Sequence, residues 1–171
     1  MKAYLELMLH PARWIHKTEL NLAPIQMHSL RSFWELLIPL PIAAFTLYLL
    51  TSLIVIVLTI AIWRSDIPLA PRYAALILAS VLVNPHLFVY DLLVLAPALL
   101  LIVDWCLENE QGAVIPKLFL FSYLAFILSL FGPLSRWTHL QLSVIAFAAL
   151  LWTLFCLART SALASTKSHV V

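Results

Sequence analysis

The stretch IAAFTLYLLTSLIVIVLTIAI, residues 42–62, decides the fold class, because it runs its whole length without a charged side chain. About twenty residues rising about 1.5 Å each cover the roughly 30 Å hydrocarbon core of a bilayer. Its apolar positions do not alternate, so a helix is predicted rather than a strand. Pro39 and Pro41 stand at its start, where a missing N–H is tolerated, and Trp63-Arg64 close it with residues suited to a membrane interface.

Composition carries this reading to the rest of the chain. Of 171 residues, 64% are hydrophobic and 11% charged, and the mean hydropathy is +1.02. A soluble domain is about a quarter charged. So much apolar surface does not fit inside one core of this size, and lipid is the solvent that accepts it. Backbone in lipid must satisfy itself, which leaves helices or closed barrels. An all-α integral membrane protein crossing the bilayer about five times is expected, in a multi-pass arrangement within a cell membrane. The net charge of +2 is small, and the basic residues are scattered, so no nucleic-acid footprint is expected. Cys106 and Cys156 have neither disulfide nor metal-ligand spacing.

Residues 1–35 mix Leu and Met with Arg13, Trp14 and His16, and read as an interfacial amphipathic turn and loop. Glu6, His10 and Arg13 interrupt the apolar run that a secretory signal needs. The transmembrane domain, residues 36–158, is expected to hold spans at 42–62, 73–83, 87–103, 118–131 and 140–158. The second of these is short. Asn84-Pro85 suits the N-cap and first position of a new helix, so two short helices are expected to meet at a turn over residues 84–91. Gly132-Pro133 ends the fourth run, and the polar tail 159–171 is expected to be disordered. With that tail cytoplasmic, Arg64, Arg72, Lys117, Arg159 and Lys167 share its side, while the opposite loops after the first span hold Arg136. Residues 1–35 and 84–91 then share the outer face.

Chemistry-bearing residues concentrate on that face. Asp91 is a carboxylate within an apolar run, a placement that costs free energy and marks a functional position; it equally serves a helix N-terminus through the macrodipole. His86 and Tyr90 are four residues apart and share a helix face beside Asp91, yet a Tyr in an interfacial belt is the plainer account. His28, Ser29 and Arg31 precede the first span and offer donors to a phosphate or sugar, as an ordinary surface loop would. Asp104, Glu108 and Glu110 read as a solvated cytoplasmic loop. No metal site is expected, since no His pair at helical spacing has a third ligand nearby. Two Gly leave no phosphate-binding loop.

The run Asn84-Pro85-His86-Leu87-Phe88-Val89-Tyr90-Asp91-Leu92-Leu93 resembles the Pro-His then Tyr-Asp signature of glycosyltransferase family 87, also known as the domain of unknown function 2029. Met27-His28-Ser29-Leu30-Arg31-Ser32-Phe33-Trp34, just before the long span, resembles a second block of that family. The resemblance covers about residues 20–105; the last two spans match only in hydrophobicity. It implies a GT-C type membrane enzyme that moves a hexose, often mannose, from a polyprenyl-phosphate sugar to a glycolipid or glycan acceptor on the extracytoplasmic side, without a cofactor. By it, Asn84, His86, Tyr90, Asp91, His28, Ser29 and Arg31 are expected to bind donor or substrate, in a bacterial inner membrane.

One departure is large. Enzymes of this type carry a catalytic acid in the first long outer loop of a chain with many more spans, and nothing here corresponds to that region. The resemblance therefore implies the C-terminal portion of a GT-C fold, with the catalytic base in a missing N-terminal half and this portion inactive without it. The alternative is a non-catalytic membrane protein, either a transporter fragment or an assembly partner, with Asp91 and Pro97 in a helix lining a path.

Overall fold

The structure, a computed structural model, describes residues 28–85, 89–109, 114–130 and 141–168. Among the described residues it is all-helical: α1 (Leu30–Leu37), α2 (Pro41–Trp63), α3 (Leu69–Val83), a 3-10 helix (Val89–Val94), α4 (Leu95–Glu108), α5 (Ile115–Leu130) and α6 (Leu142–Ser168). Two stretches, Pro41–Trp63 and Leu142–Ser161, are long and apolar enough to cross a membrane, whereas Leu69–Val83 and Ile115–Ser129 are apolar but shorter.

Each helix packs on its neighbour in sequence, and α6 returns to touch α2, α3 and α5. Short connections between packed neighbours make them antiparallel. One end of the bundle, called here the upper end, therefore collects α1, the starts of α2, α4 and α6, and the finish of α3. Described charged side chains sit near the two ends: Arg31 and Glu35 above, and Arg64, Asp66, Arg72, Asp104, Glu108, Lys117 and Arg159 toward the lower end.

The long helix α2 buries one stripe, Ala44, Tyr48, Ser52, Val55, Thr59 and Ile62. Steps of three and four keep that stripe on one face. Small and hydroxylated side chains there let neighbouring backbones approach. The outward face is the greasier one, with Ile42 84% and Leu53 58% exposed among Phe45, Leu49, Leu50, Ile54, Ile56, Val57 and Ile60. The threonine hydroxyls of α2 are satisfied within the helix: Thr46, Thr51 and Thr59 donate to the carbonyls of Ile42, Leu47 and Val55. At the lower turn Arg72 reaches back, its Nε donating to the Ile67 carbonyl at 2.6 Å, while Trp63 and Tyr73 meet edge to face.

Alanines at 74, 75 and 79 let α3 sit deep between α2, α4 and α6. Its last carbonyls have no partner within the helix. Tyr48 supplies one, its hydroxyl donating to Val83 O at 2.8 Å. Tyr48→Phe leaves that carbonyl unpaired and is expected to cost about 1 kcal/mol, read as a lowered midpoint in denaturant titration; an unchanged midpoint would show water taking the place of the phenol.

Asn84 closes α3, with its N–H on Ser80 O at 3.1 Å and ψ of 119°. Pro85 is the cause, because the residue before a proline is steered out of the helical region. Residues 86–88, where the expected new helix would begin, lie outside the described residues. Three other expectations are corrected. The fourth α-helix starts at Leu95 instead, after the 3-10 segment that contains Asp91. Pro97 explains that boundary, since it has no N–H for an α-type bond and its ring clashes with the carbonyl four residues back. Part of the segment 1–35 forms α1, and residues 159–168 of the tail continue α6. Ala162, Leu163 and Ala164, with neither Gly nor Pro nearby, sustain that helix.

Candidate functional site: a buried polar cluster at the upper end

The start of α1 and the start of α6 meet through polar side chains in an otherwise apolar bundle. Ser29 and Ser32 form a reciprocal cap on α1: Ser29 Oγ accepts from Ser32 N at 3.4 Å, and Ser32 Oγ accepts from Ser29 N at 3.2 Å. Ser32 Oγ lies 2.8 Å from Gln141 Oε1. His28 Nδ1 lies 2.7 Å from Ser143 Oγ. All five residues are buried, His28 to 1% exposure. On the outer side of α1, Trp34 Nε1 donates to Thr51 Oγ1 at 3.1 Å and ties the helix to α2.

His28 Nε2 is buried without a hydrogen-bond partner among the described residues. Burial pushes the imidazole below its ordinary value, because desolvation disfavours the charged form. A depressed histidine favours the folded state above its unfolded pKa, and that contribution is lost as pH falls through and below it.

An imidazole at hydrogen-bond distance from a hydroxyl is the geometry of an activated nucleophile. Such a site also needs a group to orient the imidazole and a path for substrate. Among the described residues Nε2 has no such partner, and Ser143 is buried. The cluster is therefore built as a clasp between chain segments distant in sequence.

Of the residues singled out from the sequence, His28 and Ser29 come together here. Arg31 does not join them; it turns outward and pairs with Glu35 at 2.8 Å. Asn84 is exposed at the end of α3, at the same end of the bundle. Tyr90 and Asp91 belong to the 3-10 helix by backbone, while their side chains and all of His86 lie outside the described residues. Ser32, Gln141 and Ser143 were missed. Their signal was present in part: Gln141 and Ser143 are polar residues opening an apolar run, and Ser29 to Ser32 has capping-box spacing.

Two other features bear on the choice of site. Among the described residues no group of three or more His, Cys, Asp or Glu gathers as metal ligands. A groove of about 490 Å³ between α4 and α5 at the lower end is lined by apolar and aromatic side chains, including Ile115, Phe119 and Tyr123. Comparison with protein-family models, with curated proteins and with solved structures finds no match.

Proposed function

We propose that the chain is a multi-span membrane protein whose upper end faces the extracytoplasmic side and holds donor-binding residues of a polyprenyl-phosphate-sugar-dependent hexosyltransferase. On this reading it corresponds to the C-terminal part of such an enzyme. The membrane part rests on α2, whose outward face is built of large apolar side chains while hydroxyls line its inward face. In water that order would be reversed. Helices α3 and α5, about 22 and 24 Å long at 1.5 Å per residue, complete the count of five spans together with α2, α4 and α6. The short α3 is enclosed by its neighbours, so its length need not match the lipid. Arg64, Arg72, Lys117 and Arg159 toward the lower end favour a cytoplasmic lower side.

The transferase part is carried by one observation: the described parts of the two sequence blocks that resemble glycosyltransferase family 87, residues 28–34 and residues 84–85 with 89–93, lie toward the same end of the bundle. His86, Tyr90 and Asp91 would orient the donor phosphate or acceptor hydroxyl. Binding of a polyprenyl-phosphate hexose to the full chain in lipid nanodiscs, measured by native mass spectrometry, tests this without requiring turnover. His86→Ala with Asp91→Asn is expected to weaken binding about tenfold or more, equivalent to about 1.4 kcal/mol. Equal binding by the wild type and the double variant would remove this end from the donor site.

A second reading, a non-catalytic assembly partner, is favoured by the closed state of the buried cluster and by the outward turn of Arg31. It predicts a stably folded chain with no donor binding at all.

A further inference from the structure

We infer that His28 is a pH-sensitive latch: its protonation breaks the contact with Ser143 and releases α1 from the start of α6 at the upper end of the bundle. The inference is independent of the transferase reading and rests on geometry. The two partners are 115 residues apart, so only the tertiary fold brings them together. Neutral imidazole suits the site better than imidazolium, since Nδ1–H can donate to Ser143 Oγ while the Nε2 lone pair is left as an unpaired acceptor that carries no charge. A proton from solvent changes both terms. Nε2 becomes an N–H donor with no described acceptor, and a full charge sits on a side chain that is 1% exposed.

Among the described residues no counter-charge compensates. On α1, Arg31 and Glu35 are paired with each other. On α2, the Tyr48 hydroxyl is committed to the Val83 carbonyl. The titratable groups of α3 and α6 whose side chains are described, Arg72, Tyr73, Cys156 and Arg159, lie toward the lower half. Desolvation accordingly stands as the cause of the depressed His28 basicity, with no charged neighbour contributing. The remaining way to solvate the imidazolium is to swing His28 out to the membrane surface. That movement drags Ser29 along, pulls Ser32 from its pairing with Gln141 and unseats the N-terminus of α1.

The test uses the full chain in nanodiscs with Cys106 and Cys156 replaced by alanine and spin labels at Leu37→Cys and Ile145→Cys, both outward-facing positions. Electron–electron distances are compared at about pH 7.5 and about pH 5, on either side of the ordinary histidine range. A single narrow distance at the higher pH, gaining a longer population at the lower, is the expected result. In His28→Gln, which keeps a hydrogen-bonding side chain but does not titrate, the narrow distance is expected to persist at both. A pH-independent distance in the wild type, or an equal response in His28→Gln, overturns the latch. Should His28→Gln fail to fold, hydrogen–deuterium exchange at the histidine ring carbon of the wild type decides: titration below the ordinary range together with the distance change supports the latch, and titration at or above it overturns it.

Discussion

Leu53→Arg is expected to block stable membrane insertion of this chain, although the residue makes no buried contact. Leu53 lies midway along α2 and is 58% exposed. In water, a substitution at such a position changes stability by no more than about 0.5 kcal/mol either way, because nothing is unpacked. In a bilayer the same position is the middle of the hydrocarbon, where an arginine costs about 2.5 to 3.5 kcal/mol on insertion scales. The two solvents thus give different answers from one residue. Insertion is read from the fraction of a glycosylation-tagged chain that crosses microsomal membranes, and a large fall is expected relative to wild type. Ser52→Ala, one position away but inward-facing, should leave insertion intact. If Leu53→Arg inserts as well as wild type, α2 is not a lipid-facing span and the membrane reading fails.

Phe147→Ala is expected to be the most damaging truncation within the bundle. Phe147 is fully buried on α6, the helix that touches α2, α3 and α5. Removing a buried phenylalanine ring costs about 3 to 5 kcal/mol, from lost apolar contact and from the cavity left behind. The loss should be near the upper part of that range, because helices locked on three sides have little freedom to collapse into the space. Trp152→Ala on the same helix removes a larger ring that is exposed, so its effect on unfolding in mixed micelles should be much smaller. A reversed order would mean that α6 is peripheral and that another helix organises the core.

Both predictions separate what was legible in the chain from what was not. The span at 42–62 was legible because a long uncharged run has one physical meaning, and α2 departs from it by a single residue at each end. The runs on either side were legible as apolar segments but not in their boundaries. Asn84-Pro85 suits a helix start by the preferences of its two residues, yet the same proline ends the preceding helix through the conformation it imposes on Asn84. Pro97 carried a readable signal for the shift from 3-10 to α geometry.

The site was less legible. His28 and Ser29 stood out because polar residues beside an apolar span invite explanation, and Arg31 stood out for the same reason. Nothing local distinguishes the inward side chains from the outward one, since α1 must first dock on α2 and α6. Gln141 and Ser143 acquire meaning only as the partners of residues more than a hundred positions earlier.

Sequence by itself determined the helical class, the apolar surface and the segregation of charge to the connections, because each follows from the transfer free energy of side chains and the need to satisfy backbone groups locally. The tertiary structure alone decided which face of each helix is buried, that α6 is the organising helix, and that a histidine ahead of α1 closes on a serine of α6. Those outcomes depend on contacts between distant segments, whose free energy exists only once the helices have packed.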